Sequence, residues 1–505
     1  MGKIIGTMVQ IVSKVDEADQ LASIGLERDA DGFIRWRSDS PDHPRNWSTN
    51  RKIFDTVIII FLEFYVTIIA TTGAAVAHEA GPEFGLERRV AIISFTFMYN
   101  FGQAIGGCLI PPLSELLGRR TPYLISCATF SIFCLFVGIV PHVSAVWIGR
   151  FVAGFASAVP AVVTAGSVED IFNTKRRVWI VILWNAGSTA GLCFGPVYAA
   201  HISSAFGWRW VYYSSAFVCA AIFICLLTIR ESRPSKLLKT KISKLREQGK
   251  IENLEWNNPD HFPNVKVFLD LVAVRPVRLL GSEPLVMMVT TVFAVSWGMI
   301  YFFTEALTDV YMSMGWSRTQ ASLPFLAIAS GIPLTFLPRI WDMKIVKSRQ
   351  SKQQVVEPED KIMGFSWAAP ALAGGLIWFA WTVPPIVHVV WIVPTLALVP
   401  IGFAVNEMAY TLSGYLADSY LLYSASAFCG LAFVRAIVSG LMPLIAYELY
   451  GGLGANFSGT VVAGLSVLFC ATPWVFFRYS KQLRERSPFA CHSLQTHLRT
   501  QIERD

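Results

Sequence analysis

Four ionisable side chains lie inside apolar runs long enough to cross a bilayer: Glu63, Arg150, Glu407 and Arg435. A charge near the bilayer centre costs roughly 2.5–3.5 kcal/mol on insertion scales, so each is a functional candidate by default. Glu63 lies near the middle of its run, where a carboxyl deprived of water can exchange a proton or tie two helices by a hydrogen bond. Arg150 cannot lose its charge. It can hold a carboxylate ionised until another ligand competes, or form a permanent interhelical ion pair. Glu407 follows Asn406, and Glu305 lies near the end of another run; each faces either a cavity or water. Arg435 reads as structural, tying its segment to its neighbours. Aromatic side chains interleave with these charges, Tyr65 beside Glu63 and Trp297 and Tyr301 just ahead of Glu305. On an inward face they would stack on a flat or cationic molecule; elsewhere they pack against helices or lipid.

The elements that must position these groups are membrane spans. Hydrophobic residues make up 53% of the 505 and charged residues only 15%, against about 25% in soluble proteins, which excludes a soluble chain. A span needs roughly 20 apolar residues. Twelve runs qualify: 54–76, 89–110, 122–142, 146–168, 178–200 and 210–229, then 284–304, 320–338, 364–383, 389–411, 424–447 and 457–478. The layout divides the chain into a segment 1–52, a six-helix bundle 53–229, a polar loop 230–283, a second bundle 284–478 and a tail 479–505. Lys and Arg gather in alternate loops, at Arg119-Arg120, Lys175 to Arg177, the central loop, Arg339 to Lys361 and the tail. Short cytoplasmic loops hold that excess, so both termini are expected in the cytoplasm; Arg88-Arg89 runs against the rule. The net charge of +7 is then topology, and no nucleic-acid partner is expected. Nine scattered cysteines read as buried small hydrophobes, with no metal spacing and no disulfide framework.

Between the second and third runs stands Gly106 to Pro122, a turn with one acid, Glu115, then Gly118, Arg119 and Arg120. Gly118 permits a tight turn, the arginines stay at the surface, and Glu115 pairs with them or caps a helix. Such an exposed pair contributes only about 0–1 kcal/mol, which suits a latch that opens repeatedly. An internal echo relates the halves: Gly166 precedes Asp170, and Gly414 precedes Asp418, at matching span ends.

The turn, the six-plus-six layout and the basic central loop together resemble the major facilitator superfamily. Arg150 to Gly154 resembles that family's arginine motif, associated with proton transfer. Gly187, Gly191, Gly195 and Pro196 resemble its glycine-rich antiporter motif, thinned here by Val197 to Ala200. Finer marks are similar to the fungal twelve-span drug:proton antiporters, a group that includes polyamine exporters. They are Pro44 to Ser48, Gly207 to Trp210, Pro358 to Lys361, Trp378 to Trp381, Tyr415 to Tyr420, and Arg435 with Pro443-Leu444. The resemblance implies an all-α membrane protein of the major facilitator fold, with twelve transmembrane helices in two six-helix pseudo-symmetric bundles. It implies no enzyme and no cofactor. The expected partners are a small organic substrate, protons and the lipid bilayer, with the protein a plasma-membrane monomer.

The expected mechanism is alternating access, the loop from Glu115 to Arg120 stabilising the outward-facing state with Asp170 and Asp418 at the same gate. A proton from outside would neutralise Glu63 first and Glu407 second, releasing a substrate taken from the cytoplasm. The Gly-rich segments lack the ending of a phosphate loop, so a proton gradient is the expected energy source. An importing symporter or uniporter, a transporter-like receptor and a membrane enzyme are the rival readings. A drug, a polyamine, an organic acid and a secreted metabolite all remain open as cargo.

Overall fold

Twelve membrane-length helical segments follow one another through the computed structural model, which describes residues 19, 21–29, 32–248, 256, 265–352, 354 and 357–493. The first, α1, is Thr49–Thr71. Helix α2 is composite: Arg88–Ile92, a π-turn at Ile93–Phe97, then Met98–Leu117. Helices α3 to α6 are Arg120–Ile139, Val143–Ile171, Thr174–Phe206 and Arg209–Leu226. Helix α7 is Pro284–Ser313. Helix α8 is built from Arg318–Ala321, Phe325–Gly331, a 3-10 turn Ile332–Thr335 and Phe336–Ser351. Helices α9 and α10 are Met363–Ala380 and Ile392–Tyr420. The last two share Ser424–Phe469, broken where Gly454 takes a φ of 75°; α11 is 424–453 and α12 is 455–469, prolonged after a bend by Thr472–Arg486.

The packing repeats itself between the halves. In the first, α2 packs on α4, α1 on α5, and α3 on both α4 and α6. In the second, α8 packs on α10, α7 on α11, and α9 on both α10 and α12. Six helices later each pairing recurs, and the two bundles meet through α2 with α11 and α5 with α8.

Hydrophobic attraction between helices is weak in lipid, so close backbone approach between small residues carries the association. A Cβ on Gly154 would land on the Tyr99 carbonyl oxygen, and one on Gly102 on that of Phe151. In the second half a Cβ on Gly402 would strike the Ile328 carbonyl and one on Gly331 that of Val399. The crowded α2–α4 and α8–α10 seams are therefore equivalent in the two bundles.

Outside the membrane-length helices, a hairpin of β1 (Leu26–Arg28) and β2 (Ile34–Trp36) packs on helix Pro234–Glu247. Leu21, Leu26 and Ile34 meet Leu238, Ile242 and Leu245, and Trp36 donates its indole N–H to the Pro234 carbonyl at 3.0 Å. The stretch Pro44 to Ser48 explains itself here. Asn46 donates to the Ser38 and Ser40 carbonyls at 2.9 and 2.8 Å, and Arg45 reaches the Glu169 carbonyl of α4 at 3.4 Å. This stretch fastens the chain's entry into α1 onto the end of α4.

Candidate functional site

Between the bundles at mid-depth, α1 contributes Glu63, which is 2% exposed. Its Oε1 accepts the Ser188 hydroxyl of α5 at 2.8 Å, and its Oε2 has no partner among the described residues. Across the seam, α11 contributes Arg435, deep in the molecule yet keeping part of its surface open. Its guanidinium lies over the Trp297 ring of α7, 5.3 Å from the centroid, and is within electrostatic reach of Tyr301 and Glu63. Trp297 stacks on Phe293 with ring centres 5.9 Å apart. Glu63, Trp297 and Tyr301 are thus gathered around Arg435, a residue read from sequence as structural. Among the described residues no hydrogen bond or ion pair ties it. Tyr65 is turned away, its hydroxyl 3.1 Å from that of Tyr198 on α5 and its ring edge-on to the same residue.

Arg150 is in the first bundle and 1% exposed. Its Nε donates to the Phe95 carbonyl at 2.7 Å, and its Nη atoms approach the Ile69 carbonyl at 3.5 Å. A π-turn leaves carbonyls out of step with the helical ladder, and Phe95 sits in that turn. Tyr99 and Tyr212 cover the guanidinium at 4.4 and 5.6 Å. No carboxylate bonds it among the described residues, so the ion-pair role expected from sequence is replaced by backbone capping and cation–π contact.

Glu407 is fully buried and paired with Arg339 of α8, and the Thr411 hydroxyl donates to it at 3.0 Å. Arg339 also meets Asp342 at 2.7 Å and covers the Tyr410 ring. Beside this cluster Asn406 crosses between halves: its Oδ1 accepts from Asn185 at 2.9 Å and Thr189 at 2.8 Å, both on α5.

At the face where the chain enters α1, Arg119 is not on the surface but 6% exposed. Its Nε meets Asp170 at 3.0 Å and its Nη1 donates to Ser114 at 2.8 Å, which compensates the buried charge. Glu115 stands 3.9 Å from Arg233, which also lies 3.6 Å from Asp170, while Arg120 donates to the Leu227 carbonyl at 2.7 Å. Gly118 has a φ of 82° and lies against Glu231, which accepts the Arg119 backbone N–H at 2.7 Å. The turn is therefore strapped to the chain leaving α6. In the second half Asp418 meets Lys361 at 2.6 Å, so the counterpart of Arg119 is Lys361. That pair is half-exposed and weaker. Pro358 to Lys361 also fastens the end of α12, since Glu359 holds Arg484 at 2.8 Å.

The opposite face holds Glu305, a candidate from sequence, together with partners that sequence reasoning missed. Arg88 bonds Glu305 at 2.6 and 2.9 Å, joining α2 to α7 across the bundles. Arg89 meets Glu448 of α11 at 2.5 Å. With His78, Asp309 and Arg318 the first pair lines a cavity between the halves. The signal was available: Arg88-Arg89 is the basic pair that breaks the loop-charge rule. Nearby, Trp208 and Arg209 donate to Glu83 at 2.7 and 2.6 Å. Desolvation pushes that carboxyl up, but the two donors and the Arg209 charge outweigh it and hold it below its usual range. The clamp's contribution is therefore full above the ordinary carboxylate value and is lost as pH falls through the lower folded-state value. Glu83→Gln is expected to lower the melting temperature slightly at pH 7, by an amount that shrinks as the pH is lowered through the acid range, as read by thermal scans.

Gly191 and Gly195 sit against α1, where a Cβ would strike the hydroxyls of Thr67 and Thr71; Gly187 is looser, 3.4 Å from Ile60. Pro196 lines the cavity at the opposite face. These small residues seat α5 on the helix that carries Glu63.

The family described as Major Facilitator Superfamily matches residues 56–443. The chain is 28% identical over 453 residues to the multidrug transporter TPO1_2 of Candida glabrata, covering 89% of this chain and 78% of that one. It is also 28% identical to the ascochitine biosynthesis cluster transporter of Didymella fabae, covering 91% and 90%. Among solved structures it resembles the proton:xylose symporter XylE, with a TM-score of 0.60 at 16% identity, covering 85% of this chain and 96% of that one. That likeness concerns the fold.

Proposed function

The chain belongs to the Major Facilitator Superfamily, and from that premise we propose that it couples export of a small organic molecule to the entry of protons. It is an integral, multi-pass membrane protein and a secondary transporter that exports small molecules. The two bundles rock about the midplane space between them, exposing it to one face at a time. The face with Arg119 and Asp170 is cytoplasmic, following the excess of Lys and Arg there, and the membrane is the plasma membrane. The protein works as a monomer.

Glu63 is the proton carrier in this reading. The observation that supports it is a buried carboxyl at the bundle interface with one oxygen unbonded and a single arginine across the seam within electrostatic reach. Glu407 is already held by Arg339 and acts structurally. A proton arriving from outside must pass Arg88 and Glu305, whose pairing closes the outer face.

The test is flux in vesicles containing the purified protein. Export should follow an imposed proton gradient and collapse with it; flux indifferent to the gradient would rule the coupling out. A second expectation concerns the outer closure. Coupling energies between sites run at about 1–3 kcal/mol, or roughly 5–150-fold. Arg88→Gln should therefore speed thiol labelling of a cysteine placed at Thr308, which lines the same cavity as Arg88 and Glu305, by about fivefold or more, in a background with the native cysteines replaced. Unchanged labelling would show that the pair does not close that face.

A further inference from the structure

We infer that the midplane site takes an uncharged aromatic molecule presenting a hydrogen-bond acceptor to Arg435 and a hydroxyl donor to Glu63. The inference rests on the reading that the space between the bundles carries the exported molecule.

The arginines carried by the membrane-length helices and the turn between α2 and α3 are not equivalent. Arg119 is satisfied by Asp170 and Ser114, Arg150 by the carbonyls of Phe95 and Ile69, and Arg339 by Glu407 and Asp342. Arg435 has only the face of Trp297 beneath it, and among the described residues nothing accepts its N–H donors. Across from it, Glu63 spends one oxygen on Ser188 and leaves Oε2 unbonded and buried. The Arg435 donors keep part of their surface open, whereas a buried acceptor left unused, as Glu63 Oε2 is, costs about 1–3 kcal/mol or more. They lie within electrostatic reach of one another from opposite bundles.

Charge selects what can fill that space. An ionised Glu63 and Arg435 compensate one another, so the site is neutral overall. A cation or an anion entering would leave one net charge in a low-dielectric interior, at an effective penalty of several kcal/mol. An uncharged ligand keeps the balance. Its polar groups are dictated as well, because a guanidinium only donates and a carboxylate only accepts. The ligand must carry a carbonyl-type acceptor at one end and a hydroxyl at the other. Its body is set by Trp297, stacked on Phe293, and by Tyr301, which favour an aromatic ring at this level. Hydroxyaryl ketones have this combination. Protonating Glu63 turns the acceptor into a donor and uncovers the Arg435 charge, so ligand and proton exclude one another. Tyr301 and Tyr123 are the other titratable groups within reach of Glu63.

Four matched probes decide it, titrated calorimetrically into the purified full-length protein: 4-hydroxybenzophenone, 4-methoxybenzophenone, 4-benzoylbenzoate and (4-benzoylbenzyl)trimethylammonium. The hydroxyketone should bind about tenfold or more tighter than each of the others, the factor expected for one hydrogen bond to a charged group. Equal binding of the methyl ether, or tighter binding of either ion, overturns the proposal. Arg435→Met should erase the preference, and a preference that survives in that variant also overturns it. The comparison on the unaltered protein decides the matter even if the variant does not fold. Binding needs neither gradient nor flux, so loss of gradient-driven export would sink the proton coupling and leave this result standing.

Discussion

Glu63→Gln is expected to reduce proton-driven export by about tenfold or more, within the range of coupling energies between sites, while the protein still folds. Glutamine matches the carboxyl in size and keeps an oxygen to accept the Ser188 hydroxyl, the one hydrogen bond Glu63 makes. What it loses is the titrating proton. Substrate exchange without a gradient should therefore persist, and only the response to the gradient should go. Glu407→Gln provides the contrast. There the change removes one of the two carboxylates that hold Arg339, which is 4% exposed, and leaves it Asp342 alone; removing a partner from a buried ion pair costs up to about 3–5 kcal/mol. That variant should lose folded protein instead, read as yield and monodispersity in detergent. Full gradient-driven export by Glu63→Gln would move the proton to another group.

Gly154→Val is expected to prevent assembly of the first bundle. The added Cβ falls on the Tyr99 carbonyl oxygen, which is backbone and cannot rotate away, so α2 and α4 must separate. Overpacking ordinarily costs about 1–3 kcal/mol, and this site offers no side chain to absorb the strain, so the upper end or beyond is expected. Separation also draws Phe95 and Tyr99 away from Arg150, removing its partners. Gly402→Val should be as damaging, because a Cβ there meets the Ile328 carbonyl in the equivalent α8–α10 seam. A mild loss at either position, measured as melting temperature in detergent, would show that the seam is looser than its geometry.

The fold was legible because its signals are local. Apolar runs and loop charges mark twelve spans wherever their partners are. The turn from Gly106 to Pro122 was visible for the same reason. Its contacts were not: Arg119 is matched by Asp170, 51 residues on, and Glu115 by Arg233 beyond α6. Spacing within a motif says nothing about partners that only folding delivers. The same limit hid the outer closure, where Arg88 and Glu305 are 217 residues apart. The exception to the loop-charge rule and the candidate Glu305 were its separate traces. Arg435 was read as structural, tying its segment to its neighbours; the ring beneath its guanidinium, Trp297, comes from another helix. The π-turn that reassigns Arg150 to backbone capping has no sequence mark of its own.

The hairpin β1–β2 has one more consequence, which concerns time. Its apolar side is covered by helix Pro234–Glu247, and Trp36 finds its acceptor 198 residues further along the chain. At about 5–20 residues per second, the ribosome needs roughly 10–40 s to deliver that helix. Until then Leu21, Leu26 and Ile34 have no cover, and the chain's first segment cannot close on itself. Closure therefore coincides with completion of the first bundle, and the straps from Glu231 and Arg233 to the Arg119 turn arrive in the same stretch. A half-made transporter is thereby left unbuttoned until its first bundle is whole.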